Sequence, residues 1–345
     1  MVSKEPLISV IILNWNGKKI IGNCLDSIKK QICQNLEAIV VDNASCDGSR
    51  DFIKENYPEV KLIENRSNLG FGAGNNVGIK QAKGEFIMVL NNDARLEPNC
   101  IEELKNSIQK DKRFGACATK VLLDHGANLI DVAGLAVCLD GLSIGRGRLE
   151  DKDKFNEEEE VFFSSGCASL YRREMLEDIS LNEEFYDGDF FAYAEDTDLG
   201  WRSRLAGWKC IYNPKAIVYH SHSASTSSYS ALKAFLVERN RIWVVIKNFP
   251  LTVIIGGFAF TLQRYFFQAY GAIVHKGAAG KFTKEVNKSE LVKILVKANL
   301  AALRGLPKML KKRSIIFKNK RISGRELSGL FKKFSISAKE IAFKE

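Results

Sequence analysis

Four times in its first hundred residues the chain runs through a short apolar stretch and stops in a cluster of asparagine and aspartate. Leu7 to Leu13 stops in Asn14-Trp15-Asn16-Gly17, and Leu36 to Val41 stops in Asp42-Asn43-Ala44-Ser45. Val60 to Ile63 stops in Glu64-Asn65-Arg66-Ser67-Asn68, and Phe86 to Leu90 stops in Asn91-Asn92-Asp93. Helical spacing fills the gaps. Gly17 to Lys30 carries Ile20, Cys24, Leu25 and Ile28 on one face, with Asn16 placed to cap it. Asp47 can cap a second helix ending at Asn56, Gly74 to Ala82 reads as a third, and a fourth starts near Pro98 with Ile101, Leu104 and Ile108. This alternation predicts an α/β fold with a mainly parallel, helix-covered sheet. The first strand is nearly continuously apolar, as expected of a strand covered on both faces. In such a sheet, ligands gather beyond the carboxyl ends of the strands. Any one of the clusters reads as a turn or cap, which Asn and Asp favour; four at one edge read as a polar-ligand site.

The pattern loosens from 115 to 180, where Gly115 to Leu123 and Gly134 to Leu139 look like strands and Glu150 to Glu160 like an acidic surface loop. It returns with a helix from about Asp196 to Ala206, stopped by Gly207, and with strands at Trp208 to Tyr212 and Ala216 to His220. Beyond about 225 the chain reads as helical and basic. The expected division is a domain over 1–225 and an extension over 226–345.

Charge follows that division. The net charge of +10 is uneven. From Lys276 onward there are 19 basic and 5 acidic residues, whereas residues 1–275 carry 32 basic and 36 acidic ones. A tail of this kind suits acidic lipid headgroups, nucleic acid or plain solvation. The 14 residues Phe249 to Leu262 are apolar and uncharged but short of the ~20 needed to span a bilayer, and Arg264 and Gln268 interrupt their continuation. A segment lying in the membrane interface is expected, with a buried core helix as the plainer alternative. The eight cysteines include no C-x-x-C, which argues against a zinc ribbon and a disulfide framework and for buried free thiols in a reducing compartment. No export signal is visible at the N-terminus, so a cytoplasmic location is expected.

Three constellations can carry chemistry. Gly70-Phe71-Gly72-Ala73-Gly74 contains no G-x-G-x-x-G and follows the third strand, which disfavours a dinucleotide site and leaves a loop whose N–H groups can approach phosphate. Asp93, flanked by Asn91 and Asn92, is a hard-oxygen site suited to Mg²⁺ or Mn²⁺ holding a diphosphate. Glu195-Asp196-Thr197-Asp198 follows Phe190, Phe191 and Tyr193 and opens a helix, whose N-terminus favours ionised carboxylates, so one of them can serve as a general base. His220 and His222 share a strand face; alone they are a weak zinc signal, but one can complete a metal site begun by Asp93. His125 and His275 have no apparent partners and read as surface or core residues.

In order, Leu13-Asn14-Trp15-Asn16-Gly17, Val41-Asp42-Asn43-Ala44-Ser45, Asn68 to Asn76, Leu90-Asn91-Asn92-Asp93 and Glu195-Asp196-Thr197-Asp198-Leu199-Gly200-Trp201-Arg202 resemble the motifs of family 2 glycosyltransferases of the GT-A fold, nearest their rhamnosyltransferase-like branch. The likeness covers about residues 6 to 224 and extends more loosely to Glu238-Arg239-Asn240-Arg241. It implies that Asn14, Asn16 and Asp42 hold the donor's pyrimidine base, that Asn68, Gly70 and Asn92 line the nucleotide-sugar pocket, and that Asp93 binds the metal on the donor diphosphate. Asp196 is then the catalytic base, Glu195, Trp201 and Arg202 are acceptor-side or supporting, and His220 is a second metal ligand. One departure stands out. Asn91 replaces the first acidic residue of the family's DXD motif. The Gln-x-x-Arg-Trp motif of processive synthases is absent, which points to transfer of a single sugar.

The implied activity is inverting, metal-dependent transfer from a UDP- or dTDP-sugar to a saccharide acceptor, lipid-linked and at the inner membrane leaflet, in cell-surface polysaccharide synthesis. A nucleotidyltransferase would show a G-x-G-x-R-type loop near the first strand, which Asn14 to Gly17 do not supply. A noncatalytic scaffold or nucleic-acid binder would not need Asp93 and Asp196, and no nucleic-acid partner is expected.

Overall fold

The computed structural model describes residues 5–125, 128–222, 230–274 and 288–343; His275 lies outside them. The register of the first strand explains where the polar clusters go. β1 (Ile8–Asn14) lies parallel between β2 (Leu36–Asp42) and β4 (Phe86–Asn91), pairing Asn14 with Asp42 and Leu13 with Asn91. β3 (Lys61–Glu64) joins the far side of β2 and pairs Glu64 with Asp42. Four carboxyl-terminal strand ends therefore stand side by side. Ile8, Val10, Ile11 and Ile12 are fully buried, which is the reason for the apolar run, broken only by the equally buried Ser9.

The sheet continues as a mixed one. β6 (Phe114–Leu123) and β12 (Lys209–His220) are parallel, and β11 (Ala168–Arg172) runs antiparallel between β4 and β6. Strand order is β10-β12-β6-β11-β4-β1-β2-β3, with β10 (Glu159–Val161) at one edge, β5 (Ala94–Leu96) on β12 and β7 (Ile130–Val132) on β6. The acidic stretch from 150 thus ends in an edge strand. Trp208 to Tyr212 and Ala216 to His220 form one strand, whose ladder shifts between Tyr212 and Ile217, where Pro214 has no N–H to donate. The stretch expected to run from Gly134 to Leu139 shortens to β8 (Leu135–Val137), which pairs with β9 (Ser143–Gly145).

Helices α1 (Ile21–Lys29), α2 (Ser49–Asn56), α3 (Phe71–Gln81), α4 (Cys100–Gln109), α5 (Arg173–Asp178) and α6 (Glu195–Leu205) flank these strands in sequence. Asn16 does not cap α1. It sits at φ 51° and accepts a hydrogen bond from Cys46 N at 2.9 Å through Oδ1, and the helix begins only at Ile21. The N-cap of α2 is Gly48 and not Asp47, which stands one position earlier and accepts from Ser49 N at 3.0 Å. The glycine stretch belongs to the first turns of α3. A Cβ at Gly74 would stand 2.5 Å from Leu13 and one at Gly78 2.6 Å from Ile11, so these glycines let helix and sheet approach closely. Gly207, at φ 90°, ends α6 as expected. All eight cysteines are free; seven are buried, but Cys46 is exposed, contrary to expectation.

Residue contacts divide the chain into two compact units. The sheet and its helices form one; residues 136–144, 204–207 and those from 230 onward form the other. The second holds α7 (Ala231–Asn248), α8 (Leu251–Ile273), α9 (Lys288–Arg304), α10 (Leu306–Lys318), α11 (Gly324–Phe334) and α12 (Ala338–Phe343). Within it α7 packs on α9 and α10, and Trp243 Nε1 donates to Ala302 O at 3.1 Å. Ser323 and Glu326 form a capping box at the start of α11. Arg264 does not interrupt α8. It turns inward, donates from Nε to Asp140 at 2.6 Å and pairs with Glu238 at 3.3 Å, while Glu238 also contacts Arg241 and Tyr265. No helix among the described residues is long and apolar enough to cross a membrane.

Candidate active site

The strand ends are tied together by asparagine. Asn14 Nδ2 donates to Asp42 Oδ2 at 2.9 Å, and Asn14 Oδ1 accepts from Asn92 at 2.9 Å. Asp42 Oδ1 receives Ser45 N at 2.8 Å, and Ser45 Oγ receives Asn16 N at 2.8 Å. Asn43 bridges to Asn68 Oδ1 at 3.2 Å and to Gly70 O at 3.2 Å, and Asn68 Oδ1 accepts from Gly70 N at 2.9 Å. Asn14, Asn16, Asp42, Asn68, Gly70 and Asn92 therefore belong to one edge. Buried and mutually bonded, Asn14 and Asp42 fix the loops, while Asn16 and Asn68 stand nearer the surface.

Asp93 follows β4 and precedes β5. Because β5 pairs Ala94 with His220, Asp93 is brought alongside the end of β12, where Asp93 O accepts from Ser221 N at 3.0 Å. The Asp93 carboxylate lies 3.2 Å from His220 Nε2, and both side chains are nearly buried. Two adjacent ligands each about 2.1 Å from an octahedral ion stand about 3 Å apart, so this pair fits a divalent cation. The other ring nitrogen, Nδ1, lies 2.8 Å from Asp131 on β7, and His222 Nε2 reaches the same Asp131 oxygen at 2.9 Å. Burial works against the charged ring of His220, but contacts with Cys167, Asp131 and Asp93 outweigh it and hold its pKa well above the usual range. Against its own burial, the two imidazoles hold Asp131 well below the usual carboxylate range.

Asp196 opens α6 from a loop in which Phe191, Tyr193 and Ala194 all adopt left-handed φ, at 64°, 70° and 66°. Such conformations are costly for residues with a Cβ and cluster at functional sites. The loop is held by the glycine stretch: Phe71 N donates to Phe191 O at 2.5 Å, and a Cβ on Gly70 would stand 2.3 Å from that same oxygen. Gly70 is itself at φ 79°, so both its conformation and its neighbour require glycine. Asp196 Oδ2 accepts from Gly166 N at 3.1 Å, and Oδ1 accepts from Thr197 N at 2.7 Å. The next residue, Cys167, accepts from Asn91 N at 2.8 Å and makes the His220 contact. The segment Gly166-Cys167 thus touches the Asp196 carboxylate with one residue and the Asp93–His220 pair's support with the other. The two acidic residues share one edge.

Burial raises the Asp196 pKa against the hydrogen bonds from Gly166 and Thr197. The neighbouring Glu195 is pushed up to about 8, first by burial and then by the Asp196 charge, and its Oε2 has no hydrogen-bond partner among the described residues. At neutral pH Glu195 keeps its proton. The helix terminus alone does not set ionisation here; desolvation counts for more.

Residues 9–180 match the family model "Glycosyl transferase family 2". The chain is a family 2 glycosyltransferase. It is 25% identical over 273 residues to the N-acetylglucosaminyl-diphospho-decaprenol L-rhamnosyltransferase of Mycobacterium tuberculosis (strain ATCC 25618 / H37Rv), covering 69% of this chain and 86% of that one. It is 36% identical over 105 residues to the putative glycosyltransferase EpsH of Bacillus subtilis (strain 168), a match that spans 29% of this chain and only 30% of EpsH. GalNAc-T7, solved with UDP, GalNAc and Mn²⁺, shares the fold with a TM-score of 0.58 at 17% identity, over 86% of this chain and 55% of that one.

In the transferase, Trp201 and Arg202 are buried within the sheet-bearing unit. Arg202 pairs with Asp198 at 2.9 Å and donates to the carbonyls of Ile179 and Phe185 at 2.6 Å each. That geometry holds α6 in place and leaves no guanidinium for an acceptor. Two site residues escape the sequence reading. Asp131 lies in the irregular stretch, and its only local signal is a charge between Ile130 and Val132; Gly166 acts through its backbone N–H, which no side chain announces.

Proposed function

We propose that the transferase moves a single sugar from a UDP- or dTDP-sugar to a hydroxyl of a lipid-linked saccharide, with inversion, in cell-surface polysaccharide synthesis. The observation carrying this reading is the meeting of Asp196 and the Asp93–His220 pair on adjacent residues, Gly166 and Cys167, at the edge where the four strands end. Asp196 takes the proton of the acceptor hydroxyl. The oxygen forms its bond to the anomeric carbon as the bond to the diphosphate breaks on the opposite side, and one displacement inverts the centre. Gly166 N and Thr197 N aim the carboxylate, so that it keeps one posture as the proton moves. Asp93 and His220 would hold Mg²⁺ or Mn²⁺. Bound there, the cation would neutralise charge on the leaving diphosphate. Asn16, Asn68 and Gly70 would face the nucleotide, supported by Asn14, Asp42 and Asn92. The rhamnosyltransferase relative, whose name specifies a decaprenol-linked substrate, supports the acceptor class.

The proposed catalytic domain is 1–225, and the proposed attachment to the cytoplasmic membrane leaflet lies in 226–345. Supporting the latter, Leu251, Ile255, Phe258, Leu262, Phe266, Tyr270 and Ile273 are all more than half exposed along one side of α8. A stripe of this kind suits a helix lying in the interface, beside a basic sequence drawn to anionic headgroups.

Asp196→Asn is expected to lose transfer by about 10²–10⁴-fold while still binding the donor, and Asp93→Ala to weaken donor binding and abolish its response to Mn²⁺. A radiolabelled-sugar assay with parallel donor titrations reads both. Undiminished turnover in Asp196→Asn would remove the base assignment.

A further inference from the structure

The geometry points to Asp131 as the positioning residue that sets His220 for metal binding: its carboxylate accepts from Nδ1–H and keeps that proton on Nδ1, so that Nε2, which faces Asp93, is the nitrogen that gives up its proton to a cation. The inference rests on the metal reading above. An imidazole can ligate through one nitrogen only if the proton resides on the other, and a carboxylate on the far nitrogen fixes both tautomer and ring orientation. Here Nδ1 lies 2.8 Å from Asp131 Oδ2, and Nε2 lies 3.2 Å from Asp93 Oδ1.

Asp131 is itself well held. It is nearly buried on β7, which pairs with β6 next to β12, and its other oxygen contacts Arg148. His222 Nε2 donates to the same Oδ2 at 2.9 Å, with its ring centroid 4.1 Å from that of His220. Asp131, His220 and His222 also bring ligand atoms within 4.8 Å of one another, the spacing of a possible three-residue metal group. The distances favour the positioning role. At 2.8 and 2.9 Å, Asp131 stands at charge-assisted hydrogen-bond range from both rings, and His222 is exposed. The device also answers the departure at Asn91. With a single carboxylate in the 91–93 turn, the site depends more heavily on its histidine, and a histidine locked in the ligating tautomer is worth more to it.

The test is Mn²⁺ affinity, read from the EPR signal of free Mn²⁺ on the full chain with whichever of UDP and dTDP binds better. Asp131→Ala is expected to weaken Mn²⁺ by about 10–100-fold, with nucleotide affinity in EDTA unchanged. Asp131→Asn, whose amide oxygen still accepts the hydrogen bond from Nδ1–H, recovers most of that loss, and His222→Ala changes little. Wild-type affinity in Asp131→Ala overturns the inference. So does an Asn variant as weak as the Ala variant together with a large loss in His222→Ala, since both then act as ligands. Wild-type protein that binds no Mn²⁺ fails the metal reading itself, before Asp131 is in question. Should Asp131→Ala not fold, ¹⁵N spectra of wild-type histidine rings with Mg²⁺ and nucleotide decide the matter: a proton on Nδ1 of His220 supports the assignment, and a proton on Nε2 overturns it.

Discussion

Two adjacent carboxylates at the start of α6 divide the labour through burial. Glu195 holds its proton to a pH of about 8, whereas its value in the unfolded chain is near 4.5. Between those values the folded protein binds a proton that the unfolded chain has released, so stability falls as pH rises through this window, by at most about 1.4 kcal/mol per pH unit. The upward shift of Asp196 adds in the same direction. Glu195→Gln, which mimics the neutral acid, is expected to flatten that slope and to gain on wild type as the pH moves from 5 to 8. Urea unfolding at several pH values checks this, and parallel slopes in the two proteins would mean that Glu195 is ionised in the native state. Transfer at pH 7 should survive the substitution. None of this division was legible in the sequence, which shows an acidic cluster at a helix start and suggests that both groups stay charged. Desolvation is a property of what packs around a group.

At the scale of elements, strands were easier to foresee than their surroundings. β1, β4 and the second half of β2 are buried on both faces, and that burial is written directly as apolar runs with polar ends. The start of α1 was not legible, because Asn16 bonds to Cys46, thirty residues away, instead of to its own helix. The pairing of Asp131 with His220 spans 89 positions and falls in a stretch with no clear period. Nor did the sequence show that α8 continues past Arg264, since only the fold supplies Asp140 and Glu238 as inward partners for that charge. The exposed side of α8 yields a prediction of its own. Ile255→Glu with Phe258→Glu should reduce co-flotation with phosphatidylglycerol vesicles about tenfold, from the cost of setting two carboxylates in an interface, and leave thermal stability nearly unchanged because both sites are exposed. Equal flotation of variant and wild type would place the contact elsewhere.

For the whole molecule, charge and apolar surface make separate contributions that ionic strength can part. Residues 288–343 carry 15 basic and 3 acidic side chains. Binding of the full chain to vesicles with 30% phosphatidylglycerol should weaken markedly between 50 and 500 mM NaCl, as the screening length shortens to a few ångströms, yet retain a salt-resistant remainder from α8. Binding that ignores salt would show that the basic residues have no part in it. The family and the sheet edge were visible from five short motifs in order; the support beneath the site, built from Asp131, Gly166 and the strained loop before Glu195, was not.

Arg264 has one more implication. An evenly apolar helix has little to stop it rolling about its own axis, and any side would do as well as another. A guanidinium locked to Asp140 and Glu238 works as a key in a slot: it fixes the roll of α8, and with it the side turned outward.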